Sequence, residues 1–120
     1  MNHVVLIGHL SSTPQVRTLT SGSELWSLEV STAADDGTTW SVPVAWFDPP
    51  TPPAWEVGDE VVVVGGVRRR FFQTTAGTQS RTEVVASSVT PKRASRTWRK
   101  LLRQHAERLG ATSAGEVRSV

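Results

Sequence analysis

The chain has 120 residues and no cysteine. That absence excludes disulfides, thiolate zinc sites and cysteine nucleophiles, and a reducing compartment suits such a chain. Long apolar runs are missing as well. The opening stretch His3–Leu10 falls far short of the roughly 20 residues a membrane helix needs, so no membrane partner is expected. The start MNHVVLIGHL shows neither the basic lead nor the cleavage site of a secretory leader, and the expected location is the cytoplasm. Catalytic signatures are equally scarce. No GxxxxGK[ST], HExxH or GxSxG pattern occurs, and Asp35-Asp36 before Gly37 reads as a turn and not as a carboxylate pair. His3 and His9 sit on one predicted strand, about 20 Å apart by strand rise, and cannot share a metal. The sequence therefore predicts no enzyme, no cofactor and no metal site.

Basic residues are almost absent from the first half. Residues 1–66 hold Arg17 against eight acids, a balance of −7, whereas residues 67–120 hold twelve cations against Glu83, Glu107 and Glu116, a balance of +9. Segregation on this scale points to an anionic partner for the second half, beneath a net charge of only +2.

Hydrophobic periodicity places five strands in the first 90 residues. His3–Leu10 is a nearly continuous apolar run, the pattern of a strand buried on both faces, and Gln15–Thr20 continues it after a break. Glu24–Ala33 alternates, with Trp26, Leu28 and Val30 on the core side. The Asp35-Asp36-Gly37 turn then leads into Thr38–Phe47 as a hairpin. Pro43 predicts a bulge in that strand. Asp48–Pro53 (DPPTPP) contains four prolines and is a stiff loop, with one turn expected at Ala54–Val57. Glu60–Phe72 and Arg81–Val89 complete the set, and Gly65-Gly66 marks the sharp bend a small barrel needs. After Pro91 the period changes. Ala94–Leu109 reads as a helix with Ser95 as cap, Trp98, Leu101, Leu102, His105 and Leu109 on one stripe, arginines and a lysine elsewhere, and Gly110 as the stop. Residues 111–120 are expected to be disordered.

The segment Asp59–Val89, DEVVVVGGVRRRFFQTTAGTQSRTEVVASSV, places cations beside flat rings. In an extended strand Arg68, Arg70 and Phe72 share one face and Arg69 and Phe71 the other. One face can then offer charge and stacking together, as nucleic-acid-binding strands do. The same pattern also describes an edge strand blunted by charge with its phenylalanines in the core. Trp40 and Trp46 likewise have one parity along their strand, so that both rings share a face. Each is open to a stacking role or a core role.

Together, MNHVVLIGHLSSTPQVRTLTSGSELWSLEVSTA, TTWSVPVAWF, VGDEVVVVGGVRRRFF and AGTQSRTEVVASSV resemble the bacterial single-stranded DNA-binding protein family over roughly residues 1–90. The resemblance implies an all-β fold, a five-stranded oligonucleotide-binding (OB-fold) barrel followed here by a C-terminal α-helix at 91–110 and a tail at 111–120. It implies a homotetramer that wraps single-stranded DNA without sequence preference, in replication, recombination or repair. By position in the family pattern, Trp40, Trp46 and Phe72 fall on stacking positions, Arg68 and Arg70 on phosphate-contacting positions, and Arg17 in a PEVR-like segment, here PQVR. A basic helix stands where the family has a flexible linker and an acidic tip, so recruitment of partners through such a tip is not expected. The alternative function is a protein-interaction adaptor in a DNA-processing complex, with Trp98–Leu109 docking the partner.

Overall fold

A computed structural model describes residues 1–52 and 54–117 of the chain. Six strands precede one helix: β1 (Val4–Leu10), β2 (Gln15–Thr18), β3 (Glu24–Ala33), β4 (Thr39–Phe47), β5 (Glu60–Thr74), β6 (Gly77–Pro91) and α1 (Ser95–Val117). The sheet order is β1-β5-β6-β4-β3-β2, and a further β1–β3 pairing closes five of the strands into a barrel. β2 is the extra strand, added to the outer edge of β3 by the Gln15↔Ser27 to Thr18↔Glu24 register. All pairings are antiparallel except β4–β6, which meet in parallel through Val44↔Val84 and Ala45↔Val85. The architecture is that of an OB-fold.

Closure depends on two glycines. β1 follows β5 from Val4 to His9, then crosses to β3 through His9↔Ser31 and Leu10↔Val30. At that crossing a Cβ on Gly8 would fall on the Ser31 carbonyl. On the far side, the β5–β6 register slips between Val64 and Gly65, and a Cβ on Gly65 would fall on the Val85 carbonyl. The bend expected at Gly65-Gly66 thus lies opposite a β-bulge whose extra residue is Ser87 of β6, and the strand backbones approach there too closely for a side chain.

Alternation along the strands fills the interior with Leu10, Leu28, Val30, Val44, Trp46, Val61, Val63, Val84, Ala86 and Val89. Burying each of the larger aliphatic side chains contributes about 1.5–3 kcal/mol, which makes this core the main stabilising term. Trp26 packs against it, as its alternation with Leu28 and Val30 predicts. The proline loop contributes Trp55, whose ring lies parallel to that of Trp46 at 6.0 Å. The tip of the β3–β4 hairpin is held by Asp36, whose Oδ1 accepts from both the amide and the hydroxyl of Thr38. Those hydrogen bonds keep the Asp36 carboxyl below its usual range.

Two expectations need correction. No bulge forms at Pro43: the β3–β4 register runs unbroken through Glu29↔Pro43. β4 meets β6 only from Val44 onward, so the missing amide of Pro43 removes no ladder bond on that side. The helix does not stop at Gly110 but continues to Val117, across part of the tail expected to be disordered. A glycine inside a helix costs only about 1 kcal/mol, and no proline follows to end it. Residues 118–120 of that tail, and the side chain of Leu109, lie outside the described residues.

α1 is held to its own barrel. Trp98 Nε1 donates to the Lys92 carbonyl at 2.8 Å, and the His105 ring meets His3 edge-on at 5.1 Å. Leu101 reaches a depression it shares with Trp55, Val89 and the proline loop. Among the described residues, no helix is long and apolar enough to cross a membrane.

Candidate nucleic-acid interface

The outer face of β2, β3, β4, β6 and β5 carries an open groove of about 530 Å³. Its walls include Arg17 from β2, Phe47 from β4, Arg68 and Arg70 from β5, and Arg81 and Glu83 from β6. Period two explains the set. Apart from Arg17, whose strand gives no residue to the core, each has the opposite parity from neighbouring core residues of its own strand, such as Val44 and Trp46 on β4 and Val84 and Ala86 on β6. On β5 one unbroken alternation points Val61 and Val63 in and Arg68 and Arg70 out, whereas on β6 the parity changes at Ser87, the residue left unpaired by the bulge, so that Val84 and Ala86 before it and Val89 after it all reach the core.

Glu83 organises the cations. Its side chain is only 6% exposed, and it accepts Arg68 Nη2 at 2.7 Å through one oxygen and Arg70 Nε and Nη2 at 3.4 Å through the other. Two guanidiniums on one carboxylate leave a net positive charge, with most of their N–H groups unspent. Arg81 stands directly across from Arg70 in the β5–β6 register, an arrangement that like charges disfavour. Glu29 of β3 offsets it by pairing with Arg81 at 3.1 Å, while Ser41 donates to the other Glu29 oxygen.

Rings lie beside these charges. The Arg68 guanidinium sits 5.5 Å from the Phe47 ring centroid and that of Arg70 5.2 Å from Phe72. On the opposite face of the same arm, Arg69 lies 5.5 Å from Phe71. The two-faced pattern expected for residues 68–72 is therefore present: each face of the arm carries an arginine stacked on a phenylalanine.

The predicted residues separate into three groups. Arg17, Arg68 and Arg70 meet in the groove, and Phe72 stands next to it under Arg70. Trp40 is 64% exposed, but it lies opposite Thr32 near the tip of the β3–β4 hairpin, away from the groove walls. Trp46 is corrected from a stacking position to a core position: it is 7% exposed and packs on Trp55. Trp40 and Trp46 do share a parity, but that parity faces the barrel interior, and Trp40 escapes burial only because the hairpin outruns the barrel.

Sequence reasoning missed Phe47, Arg81 and Glu83. Phe47 was legible from parity, since it alternates with the core residues Val44 and Trp46; the adjacent WF pair hid it. Arg81 and Glu83 become visible only through the β5–β6 register, which places them across from Arg70 and Arg68.

A shallow, open face of fixed guanidiniums interleaved with rings can hold a polyanion and stack planar groups, and among the described residues no cluster of histidines and carboxylates could hold a metal. No curated protein matches the chain. The model of the single-strand binding protein family matches residues 1–91, which span the whole barrel that carries the groove, and the chain therefore belongs to the single-strand binding protein family.

Proposed function

We propose that the protein binds single-stranded DNA without sequence preference and protects it in replication, recombination or repair. The observation that carries this reading is the convergence of Arg17, Arg68, Arg70 and Arg81 with Phe47 in one outer groove of an OB barrel of this family. Phosphates lie along the guanidiniums, and bases stack on Phe47 and Phe72, with Trp40 reaching the strand from the hairpin tip. Glu83 presets Arg68 and Arg70, so that less side-chain freedom is lost when the strand arrives. The open face reads no base edge, which suits binding that ignores sequence.

The binding unit is a homotetramer on this reading. Along Val4–Gly8, β1 pairs among the described residues with β5 on one side only, leaving an open edge. Val5 and Ile7 beside it are 44% and 42% exposed, and an unpaired apolar edge of this kind is suited to strand addition from a second copy.

Titration of oligo-dT followed by tryptophan fluorescence and repeated over a salt series tests the reading. The parent should bind, and Arg68→Gln/Arg70→Gln should reduce the salt slope by roughly 1.4, or about 0.7 per lost phosphate contact. Absence of oligo-dT binding, or equal affinity for duplex and single strand, would overturn the function. An unchanged slope in the double variant would remove these two arginines from the site.

A further inference from the structure

The groove does not account for the cations of α1. Arg96, Arg99, Lys100 and Arg103 follow the i, i+3, i+4, i+7 spacing that forms one helical stripe, and all four are exposed. With Leu102 they line a shallow depression of their own. Among the described residues, none of the four is in an ion pair, and no acid occurs between Lys92 and Ala106.

This stripe opposes the helix that carries it. Cations three and four residues apart repel one another, and the first turn of α1 has no acidic residue although the helix dipole favours acids there. The helix is held by its other side, through Trp98, Leu101 and His105 on the barrel. The result is a row of exposed positive charge on a helix held by its other side, and along the sequence the next acid is Glu107, one turn beyond Arg103.

The occupant follows from position. Trp46 and Phe47 are neighbours on β4: Phe47 lines the groove, while Trp46 lines the depression bounded by Pro50, Pro52, Trp55 and Leu101 of α1. The proline loop is thus the bridge between the groove and the helix. We propose that the basic stripe of α1 is a second phosphate-binding surface, which takes the backbone of the same single strand once it runs past the groove. This rests on the single-strand reading above and extends it. Strands confined to the groove do not touch the stripe, whereas longer strands do.

The test compares the parent with R96Q/R99Q/K100Q/R103Q, using oligo-dT of about 8 and about 40 nucleotides, because one OB barrel occupies roughly 4–16 nucleotides. Glutamine keeps helix propensity, and circular dichroism with sedimentation checks fold and assembly. For the long strand at low salt, affinity should fall at least tenfold, on the order of one decade, with the salt slope reduced by roughly 2.8 for four contacts at about 0.7 each. Affinity for the short strand should not change, and R96K/R99K/R103K should retain binding to the long one. If the quadruple variant does not fold, R99Q/R103Q should give about half the slope change. An unchanged slope on the long strand, an equal loss at both lengths, or a loss seen only with duplex DNA overturns the proposal. A parent that fails to bind even the short strand overturns the single-strand reading itself, which keeps the two failures distinct.

Discussion

Residues 46 and 47 show how one step along a strand separates structure from function. Trp46 closes the core against Trp55, and Phe47 faces the groove beneath Arg68. Trp46→Leu should therefore lower stability by about 2 kcal/mol or more while the folded fraction binds oligo-dT normally. Phe47→Leu should leave the melting temperature nearly unchanged and weaken binding by about 1–2 kcal/mol. Thermal unfolding and titration of both variants check the pair, and exchanged phenotypes would reverse the assignment. Individual side chains were legible in the sequence where parity was unambiguous, as for Trp26 with Leu28 and Val30, or Arg68 with Arg70. They were not legible where two aromatic residues are adjacent, because a strand must turn one of them inward and the sequence alone does not say which. Glu83 shows a different limit, since its pairing with two arginines exists only once β5 and β6 are in register.

At the scale of elements, the close approach of β5 and β6 at Gly65 does the most to place the site. Alternation along β5 gives Val61 and Val63 to the core and Arg68 and Arg70 to the outer face, and the register beyond Gly65 sets Arg68 across from Glu83. Gly65→Ala would drive a methyl group into the Val85 carbonyl. The expected cost is about 2–3 kcal/mol, with affinity falling further than stability alone explains because the arginines lose their aim. Calorimetric melting together with oligo-dT titration measures both, and a fully stable Gly65→Ala protein would contradict the close approach. Alternation, the Asp-Asp-Gly turn and the glycine pair made the strands legible. Pro43 misled because proline disrupts a strand only where its amide is needed, and that depends on which neighbours pair with it. The helix end misled for a related reason: Gly110 permits a stop but does not impose one.

For the molecule as a whole, the fold partly mixes the two charge blocks that the sequence keeps apart. The arginine-rich arm of β5 and β6 borrows its acidic counterweight Glu29 from the acidic first half, and Arg17 of that half joins the groove. Assembly is tested away from these charges. Val5→Lys/Ile7→Lys places charge on side chains already partly exposed, so the subunit's own stability should change by no more than about 0.5 kcal/mol, while sedimentation should show loss of the proposed tetramer. A tetramer that survives would direct the search to another face. Finally, the arginines laid over Phe47 and Phe72 have a thermodynamic consequence. Rings partly covered in the free protein shed less structured water when a base arrives, so the heat capacity change of binding should be smaller than two bare rings would give. Arg68→Gln/Arg70→Gln uncovers both rings. Titration calorimetry over a range of temperatures should then show weaker binding with a more negative heat capacity change, the opposite of what the loss of two simple contacts would give.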